Sequence, residues 1–304
     1  MSGDEQRRCG IISLLGEPNV GKSTLVNRLT GAKVSIVTHK AQTTRSRVRG
    51  IKVLRNIQLI FIDTPGVFVP KRRLDRAMIS AAWSGAAAAD TILFMVDVSR
   101  GLTAGSKEIL DSMVAMGEID IPIILLLNKI DKIRRKELLH LSEEANAYFS
   151  FNMTFMISSE NGSGVNDLLE RLSENLPVSP WLYPEEQIAD FPIKSFAAEV
   201  TREKLLLRLH QEIPYQLTVE PDSWIVKSDN SIKIHQIIFV TNKRHKGMIL
   251  GKNGEIIKAV SIAARKELQE ILNLDIHLFL QIKVRNNWLN EPLRFSSIGL
   301  SFSN

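Results

Sequence analysis

Short apolar runs at residues 11–15, 56–62, 91–96, 121–127 and 154–157 punctuate the first half of the chain, and each gives way to polar residues. Runs of that length, bounded by turn-forming residues, fit strands buried on both faces. Between them 77–89, 103–116, 136–149 and 165–176 carry helical spacing, and 24–29 continues as a helix from a glycine-rich turn. Strands alternating with helices predict an α/β fold with an open, mostly parallel sheet. Two further β-like segments, 34–37 and 47–54, flank the polar stretch Ala41-Gln42-Thr43-Thr44-Arg45. Residues 176–184 then place three prolines in nine positions, which no helix can continue through and which stiffen a connection. A first domain over 1–178, a linker over 179–192 and a second domain over 193–304 follow. In the second domain 196–212 is amphipathic, with Leu205, Leu206 and Leu209 on one side. Residues 215–220 and 231–241 alternate as strands, and 276–284 makes a third. Two helices around 251–254 separate the last two strands, so the order is α-β-β-α-α-β, a smaller α+β domain.

The motifs sit where strands end. After the first apolar run comes Gly16-Glu17-Pro18-Asn19-Val20-Gly21-Lys22-Ser23, then Thr24. Strand, glycine turn and helix start are the setting in which backbone N–H groups cradle phosphate oxygens. Lys22 is placed to reach β- and γ-phosphates, and the Ser23 hydroxyl to ligate Mg²⁺. The second run ends in Asp63-Thr64-Pro65-Gly66. A carboxylate there can hold Mg²⁺ through water, and the Gly66 N–H can approach a γ-phosphate unobstructed. The run 121–127 ends in Asn128-Lys129-Ile130-Asp131. A carboxylate at Asp131 accepts both the ring N–H and the exocyclic amine of guanine, a donor pair that adenine lacks. Lys129 can lie over the base, Asn128 can tie the base loop to the phosphate loop, and a backbone N–H around Ser158-Ser159 can meet the guanine carbonyl.

The second domain offers a different chemistry. Lys246-Gly247-Met248-Ile249-Leu250-Gly251-Lys252-Asn253-Gly254 leads to Lys258. Two helices hinged on G-x-x-G resemble a KH module of type II, whose loop clamps a single-stranded nucleic-acid backbone. Glycines allow close approach, Lys252 supplies charge, and Ile249, Leu250 and Ile257 would build the groove. Between 233 and 266 eight Lys and Arg residues face a single acid, Glu255. The net charge of the whole chain is +6, so this segment accounts for the excess. His235 and His245 read as ordinary surface residues, and Trp224 and Trp288 as packing residues.

Composition narrows the setting. The chain has 304 residues, 44% hydrophobic and 24% charged, the profile of a water-soluble globular protein. A basic balance suits a polyanion, whether RNA, DNA or a membrane surface. One cysteine, Cys9, excludes a disulfide within the chain and suits a reducing compartment; it reads as an ordinary thiol near a frayed N-terminus. The first ten residues are unlike a signal peptide, and no apolar run reaches the length of a membrane span. A cytoplasmic protein is expected, with any membrane contact peripheral, on the inner face of the plasma membrane.

The order of phosphate loop, mobile threonine, D-x-x-G and N-K-x-D resembles the translation-factor-related GTPases over about the first 175 residues. A GTPase followed by this basic module resembles the Era family of ribosome-associated GTPases nearly end to end. Gln42-Thr43-Thr44-Arg45, Arg202-Glu203-Lys204-Leu205 and Glu212-Ile213-Pro214-Tyr215 agree with that family, as do the motifs above. The resemblance implies GTP hydrolysis with Mg²⁺ and GTP or GDP as ligands. It implies binding to the 3′ end of small-subunit (16S) ribosomal RNA, a role in maturing the 30S subunit, and a monomer. It makes Thr44 the switch threonine on Mg²⁺ and γ-phosphate, and Lys22, Thr44 and Gly66 the groups acting on the reacting phosphate. Asn19 matches a residue that helps relatives bind K⁺. Val67 stands where small signalling GTPases carry a catalytic Gln, so either another group orients the attacking water or intrinsic hydrolysis is slow until a partner or ion helps. Ser159 replaces the usual Ala of the guanine loop, a change that only its backbone should notice, and 294–304 fits the family less well. Two other readings stay open: a GTPase of RNA modification, and a GTP-gated peripheral membrane protein.

Overall fold

The computed structural model describes all residues except 1–5, 41, 42, 46, 71, 116–120, 175, 211, 212, 287, 289, 290, 293, 294, 296–299, 303 and 304. Ala41, Gln42, Glu212 and Arg294 therefore lie outside the described residues. The chain forms two compact units. The first comprises Met1–Ser35, Thr44–Asp190 and Gly299–Ser301, and the second Ile36–Thr43, Phe191–Ile298 and Phe302–Asn304.

The first unit holds β1 (Arg8–Gly16), α1 (Lys22–Thr30), β2 (Val48–Leu54), β3 (Ile57–Asp63), α2 (Arg73–Ala87) and β4 (Thr91–Asp97). It continues through α3 (Ala104–Ala115), β5 (Ile123–Asn128), α4 (Arg135–Tyr148), β6 (Met153–Ile157), α5 (Val165–Glu174) and β7 (Ala189–Asp190). The strands make one sheet in the order β6-β5-β4-β1-β3-β2-β7. β3, β1, β4, β5 and β6 run parallel, while β2 is antiparallel to β3 and to β7. The central strands are apolar on both faces: Leu14, Phe61, Leu93, Phe94, Leu125 and Leu126 are fully buried. Strand order reverses at β1, between β3 and β4, and in such sheets the ligand crevice opens beyond the carboxyl ends there. Gly16, Asp63, Asp97 and Asn128 all end strands at that edge.

Several boundaries differ from the sequence pattern for identifiable reasons. Residues 34–37 form no strand, because the backbone N–H groups of Val34 and Ser35 both donate to Asn27 Oδ1, each at 2.9 Å. The helix expected at 77–89 starts earlier, at Arg73, where Asp75 accepts from the Arg72 N–H at 2.9 Å and caps it. Cys9 is not at a frayed end. It is the second residue of β1, buried, and burial pushes its thiol pKa up. The proline-bearing segment runs along β1 and β3: Gln58 Oε1 accepts from the N–H groups of Leu182 and Tyr183 at 2.9 and 3.1 Å, and Trp181 Nε1 donates to the Asn56 carbonyl.

The second unit holds α6 (Ile193–Arg208), β8 (Leu217–Val226), β9 (Ile232–Val240), α7 (Lys243–Leu250), α8 (Glu255–Leu272) and β10 (Ile276–Val284). β9 is central, antiparallel to β8 and parallel to β10. One face of the sheet packs Val219, Ile234, Ile238, Leu278 and Ile282 with residues of α6 and α8. β8 runs beyond the expected 215–220 because it passes Pro221 through a register shift between Pro221 and Ser223, the kind of irregularity that accommodates proline in a strand. Ile36–Thr43 is held in this unit by α6. The Val37 N–H donates to Glu203 Oε1 at 2.8 Å, the Arg202 guanidinium to the Thr43 carbonyl, and the Lys40 ammonium to the carbonyls of Leu206 and Leu209. No helix among the described residues is long and apolar enough to cross a membrane.

Candidate functional site

The loop after β1 is shaped by its glycines. Gly16 has φ +145° and a Cβ there would lie 2.5 Å from the Met95 carbonyl oxygen; Gly21 has φ +106°. Lys22 is buried, and its ammonium donates to the carbonyls of Gly16 and Glu17 at 3.0 and 2.9 Å. Burial lowers its pKa to about 8, against the pull of the Asp63 and Glu17 carboxylates. A phosphate group arriving at the loop supplies the charge that such a buried ammonium lacks. The Glu17 side chain turns the other way. Its Oε2 accepts from Thr103 Oγ1 at 2.6 Å and Ser106 Oγ at 3.1 Å, which anchors the loop beside the start of α3. Pro18 packs against Gly66, where a Cβ would come within 2.7 Å of the Pro18 nitrogen. The Val67 N–H returns to the Gly16 carbonyl at 3.1 Å, and its side chain packs on the apolar cluster of α3 and β4.

Beside the loop the structure gathers four oxygen-bearing side chains from distant positions. Asp63 Oδ2 accepts from Ser23 Oγ at 2.7 Å, Ser35 Oγ at 2.6 Å and Thr44 Oγ1 at 3.2 Å, and Ser23 Oγ lies 2.9 Å from Thr44 Oγ1. Asp63 is fully buried, and its other oxygen, Oδ1, has no hydrogen-bond partner among the described residues. Burial raises its pKa in spite of the three hydroxyls and Lys22. An all-oxygen cluster with an orphaned carboxylate oxygen suits a hard divalent cation. Thr64 is buried, with its hydroxyl on the Leu14 carbonyl, and Pro65 separates it from Gly66.

The loops after β5 and β6 are equally assembled. Asn128 Nδ2 donates to the Val20 carbonyl at 2.6 Å, while Asn128 Oδ1 accepts from the Ser159 N–H at 2.9 Å. Ser159 Oγ also donates to Asn128 Oδ1, at 3.0 Å, so its hydroxyl is engaged and not only its backbone. Asp131 Oδ1 accepts from Ser158 Oγ at 2.5 Å. Lys129, at φ +70°, reaches the Asn19 carbonyl at 2.8 Å and Asp97 Oδ2 at 2.5 Å.

Sequence reasoning missed Asn27, Ser35, Arg28 and Asp97. Only Asp97 left a signal, as a carboxylate at a strand end. Arg28, on α1, donates to the Ser159 carbonyl at 2.6 Å and to the Glu160 carbonyl. It straps the base loop to the helix that begins at the phosphate loop. Charge-assisted bonds of this kind are worth about 1.5–3 kcal/mol, less where solvent reaches them. Arg28→Ala should therefore release GDP about tenfold faster, read from the decay of a fluorescent GDP analogue chased with excess GDP.

In the second unit α7 ends at Gly251 (φ +73°), a short 3₁₀ turn spans Lys252–Gly254, and α8 begins at Glu255. Asn253 and Gly254 also have positive φ, at 53° and 78°. Lys252, Asn253 and Lys258 are exposed, Gly247 has open space around it, and Lys246 is half-buried. Ile249 does not line a groove: it is fully buried in the core with Val260 and Ile282, whereas Leu250 and Ile257 are partly buried. His245 is no surface residue either; it is buried, with Nδ1 2.9 Å from Thr241 Oγ1.

Comparison with known proteins matches residues 11–129 to the family described as "50S ribosome-binding GTPase" and residues 212–289 to the KH domain family. The GTPase Era of Dinoroseobacter shibae is 54% identical over 295 residues, covering 97% of this chain and 96% of the relative. That of Agrobacterium fabrum is 53% identical over 297 residues, covering 97% and 92%. Among solved structures, Era in complex with MgGDPNP and nucleotides 1506–1542 of 16S ribosomal RNA superposes with a TM-score of 0.91 at 34% identity, covering 98% of this chain and all of that one. A variant of Aquifex aeolicus Era bound to GDP·AlF4⁻ gives the same TM-score, identity and coverage.

Proposed function

The chain belongs to the Era family of GTPases, and from that premise we propose that its GTP cycle governs binding to the 3′ end of small-subunit (16S) ribosomal RNA during 30S subunit assembly. The observation that carries the RNA half is the Gly251–Gly254 loop, exposed at Lys252 and Asn253, with its three left-handed residues. A backbone can approach it closely, and Lys252 and Lys258 stand beside it. The solved relative that this chain matches at TM-score 0.91 was crystallised with that RNA segment.

The nucleotide half rests on the first unit. Asp131 and the Ser158–Ser159 backbone would read guanine, with Lys129 over the base and Asn128 bracing both loops. Residues 16–24 would hold the phosphates, Lys22 donating to β- and γ-oxygens and the Gly66 N–H to the γ-phosphate. Ser23, Thr44 and Asp63 would hold Mg²⁺, which neutralises charge on the β- and γ-phosphates when bound. Val67 is packed and apolar, so it orients no water and intrinsic hydrolysis is slow. Asn19, in the left-handed region and exposed at the loop tip, supports a K⁺ site near the phosphates. Equal turnover in Na⁺ and K⁺ buffers would remove that part of the reading. We place the nucleotide site within 1–178, the RNA site within 193–304, and a monomer in the cytoplasm, with membrane contact at most peripheral.

Fluorescence anisotropy of the full chain with a single-stranded 16S 3′-end RNA tests this. Gly251→Asp with Gly254→Asp should lose at least tenfold in affinity while GTP turnover without RNA is unchanged. Wild-type affinity should fall steeply with salt. Unchanged RNA affinity in the double variant, or tighter binding to anionic vesicles than to RNA, rejects the reading.

A further inference from the structure

Among the described residues the two main apolar clusters of the second unit pack on one face of its sheet, and the other face is covered at the Phe239 end and open towards Lys233. Alternation sends Ile232, Ile234, Ile238, Ile276, Leu278 and Ile282 inward. It sends the odd-numbered residues of β9 and β10 to the other face, in the cross-strand pairs Lys233–His277, His235–Phe279, Ile237–Gln281 and Phe239–Lys283, of which Phe239 is buried and the first two pairs are the more open end. Neither strand contains an acidic residue. Acid appears on this face at β8, where Glu220 lies opposite Ile237.

Phe279 breaks an otherwise polar outer row on β10. The residue is 49% exposed. It stacks on His235 with centroids 4.9 Å apart and planes 14° from parallel, and the Lys233 ammonium lies 5.3 Å from its centroid. Phe239 on the same face is buried, but burial does not account for Phe279, which is half exposed. Flat π surface with cations at its rim is the chemistry of a base-stacking platform, where the ring takes the base and the cations take the adjoining phosphates. β10 is an edge strand packed against both α7 and α8, so RNA leaving the Gly251–Gly254 loop can pass this edge onto the outer face.

We propose that the outer face of β9 and β10, centred on Phe279, is a second contact surface for single-stranded RNA. Phe279 stacks one base, and Lys233, His277 and Lys283 hold neighbouring phosphates. The proposal rests on the RNA-binding reading above and adds a platform separate from the G-x-x-G loop. That loop clamps about four nucleotides, so a pentamer should not reach the second surface and a 20-nucleotide strand should.

The experiment measures affinities of the full chain and of Phe279→Ala and Phe279→Trp for both RNAs. Phe279→Ala should weaken binding of the long RNA about tenfold and leave the pentamer unchanged, and Phe279→Trp should restore wild-type affinity. Equal affinity of Phe279→Ala and wild type for the long RNA overturns the proposal. So does equal weakening on both RNAs, which would mark Phe279 as structural. If Phe279→Ala does not fold, Lys233→Glu with Lys283→Glu must give the same length-dependent loss or the proposal fails. Wild-type protein that binds neither RNA rejects the RNA-binding reading itself and is thereby distinguished from failure of the second surface.

Discussion

Lys22→Ala should lower GTP turnover by at least about 10²–10³-fold, the scale for removing one preorganised group from a developing charge. Lys22 is buried and aimed into the loop by the Gly16 and Glu17 carbonyls. The stability effect is a balance. Two carbonyls lose a donor, which costs about 1–3 kcal/mol where they stay dry, while the desolvation that lowers the lysine pKa to about 8 is relieved. Phosphate release should therefore collapse while the melting temperature moves little. A Lys22→Ala protein that hydrolyses GTP at the wild-type rate defeats the enzymatic reading.

Asp131→Asn should exchange one base for another. The carboxylate accepts two N–H donors from guanine; an amide offers one acceptor and a donor in its place. Guanine's exocyclic amine then meets another donor, so GTP affinity should fall by about 10²–10⁴-fold, the range for buried groups left unpaired or opposed. Xanthine carries a carbonyl at that position and restores the match, so XTP should become the better substrate. Competition of GTP and XTP for a fluorescent nucleotide measures the exchange. Preference for GTP in the variant removes Asp131 from base recognition. Ser158 should lose little, since the amide oxygen of the variant can still accept from the Ser158 hydroxyl as Asp131 Oδ1 does.

The parallel sheet and the chemistry of its carboxyl edge were legible because buried strands and phosphate-binding turns are contiguous in sequence. Apolar runs leading to Gly16, Asp63 and Asn128 name both the strand and its ligand-facing end. What stayed hidden depends on folding-back. Asn27 takes the amides of Val34 and Ser35, and Ser35 reaches Asp63, across gaps that no local pattern announces. Ile249 and His245 were misplaced because a helix flanking a basic loop can turn an apolar or imidazole position inward. The core against Val260 and the Thr241 hydroxyl decided both. Pro221 hid the length of β8, since a register shift is invisible to alternation. Ser159 shows that a small change at a backbone-reading position still finds a side-chain partner.

The division of the chain also sets an order in time. Ile36–Thr43 belongs with the second unit, yet it is made about 150 residues before α6, whose Arg202 and Glu203 hold it. At synthesis rates of about 5–20 residues per second the interval is on the order of ten seconds. During it, a nascent first unit can close its sheet and seat Lys22 while the segment leading into Thr44 has none of its α6 partners. The nascent chain thus passes through a stage at which the first unit's strands are all made while Ile36–Thr43 still lacks the α6 groups that hold it, and translation of α6 ends that stage.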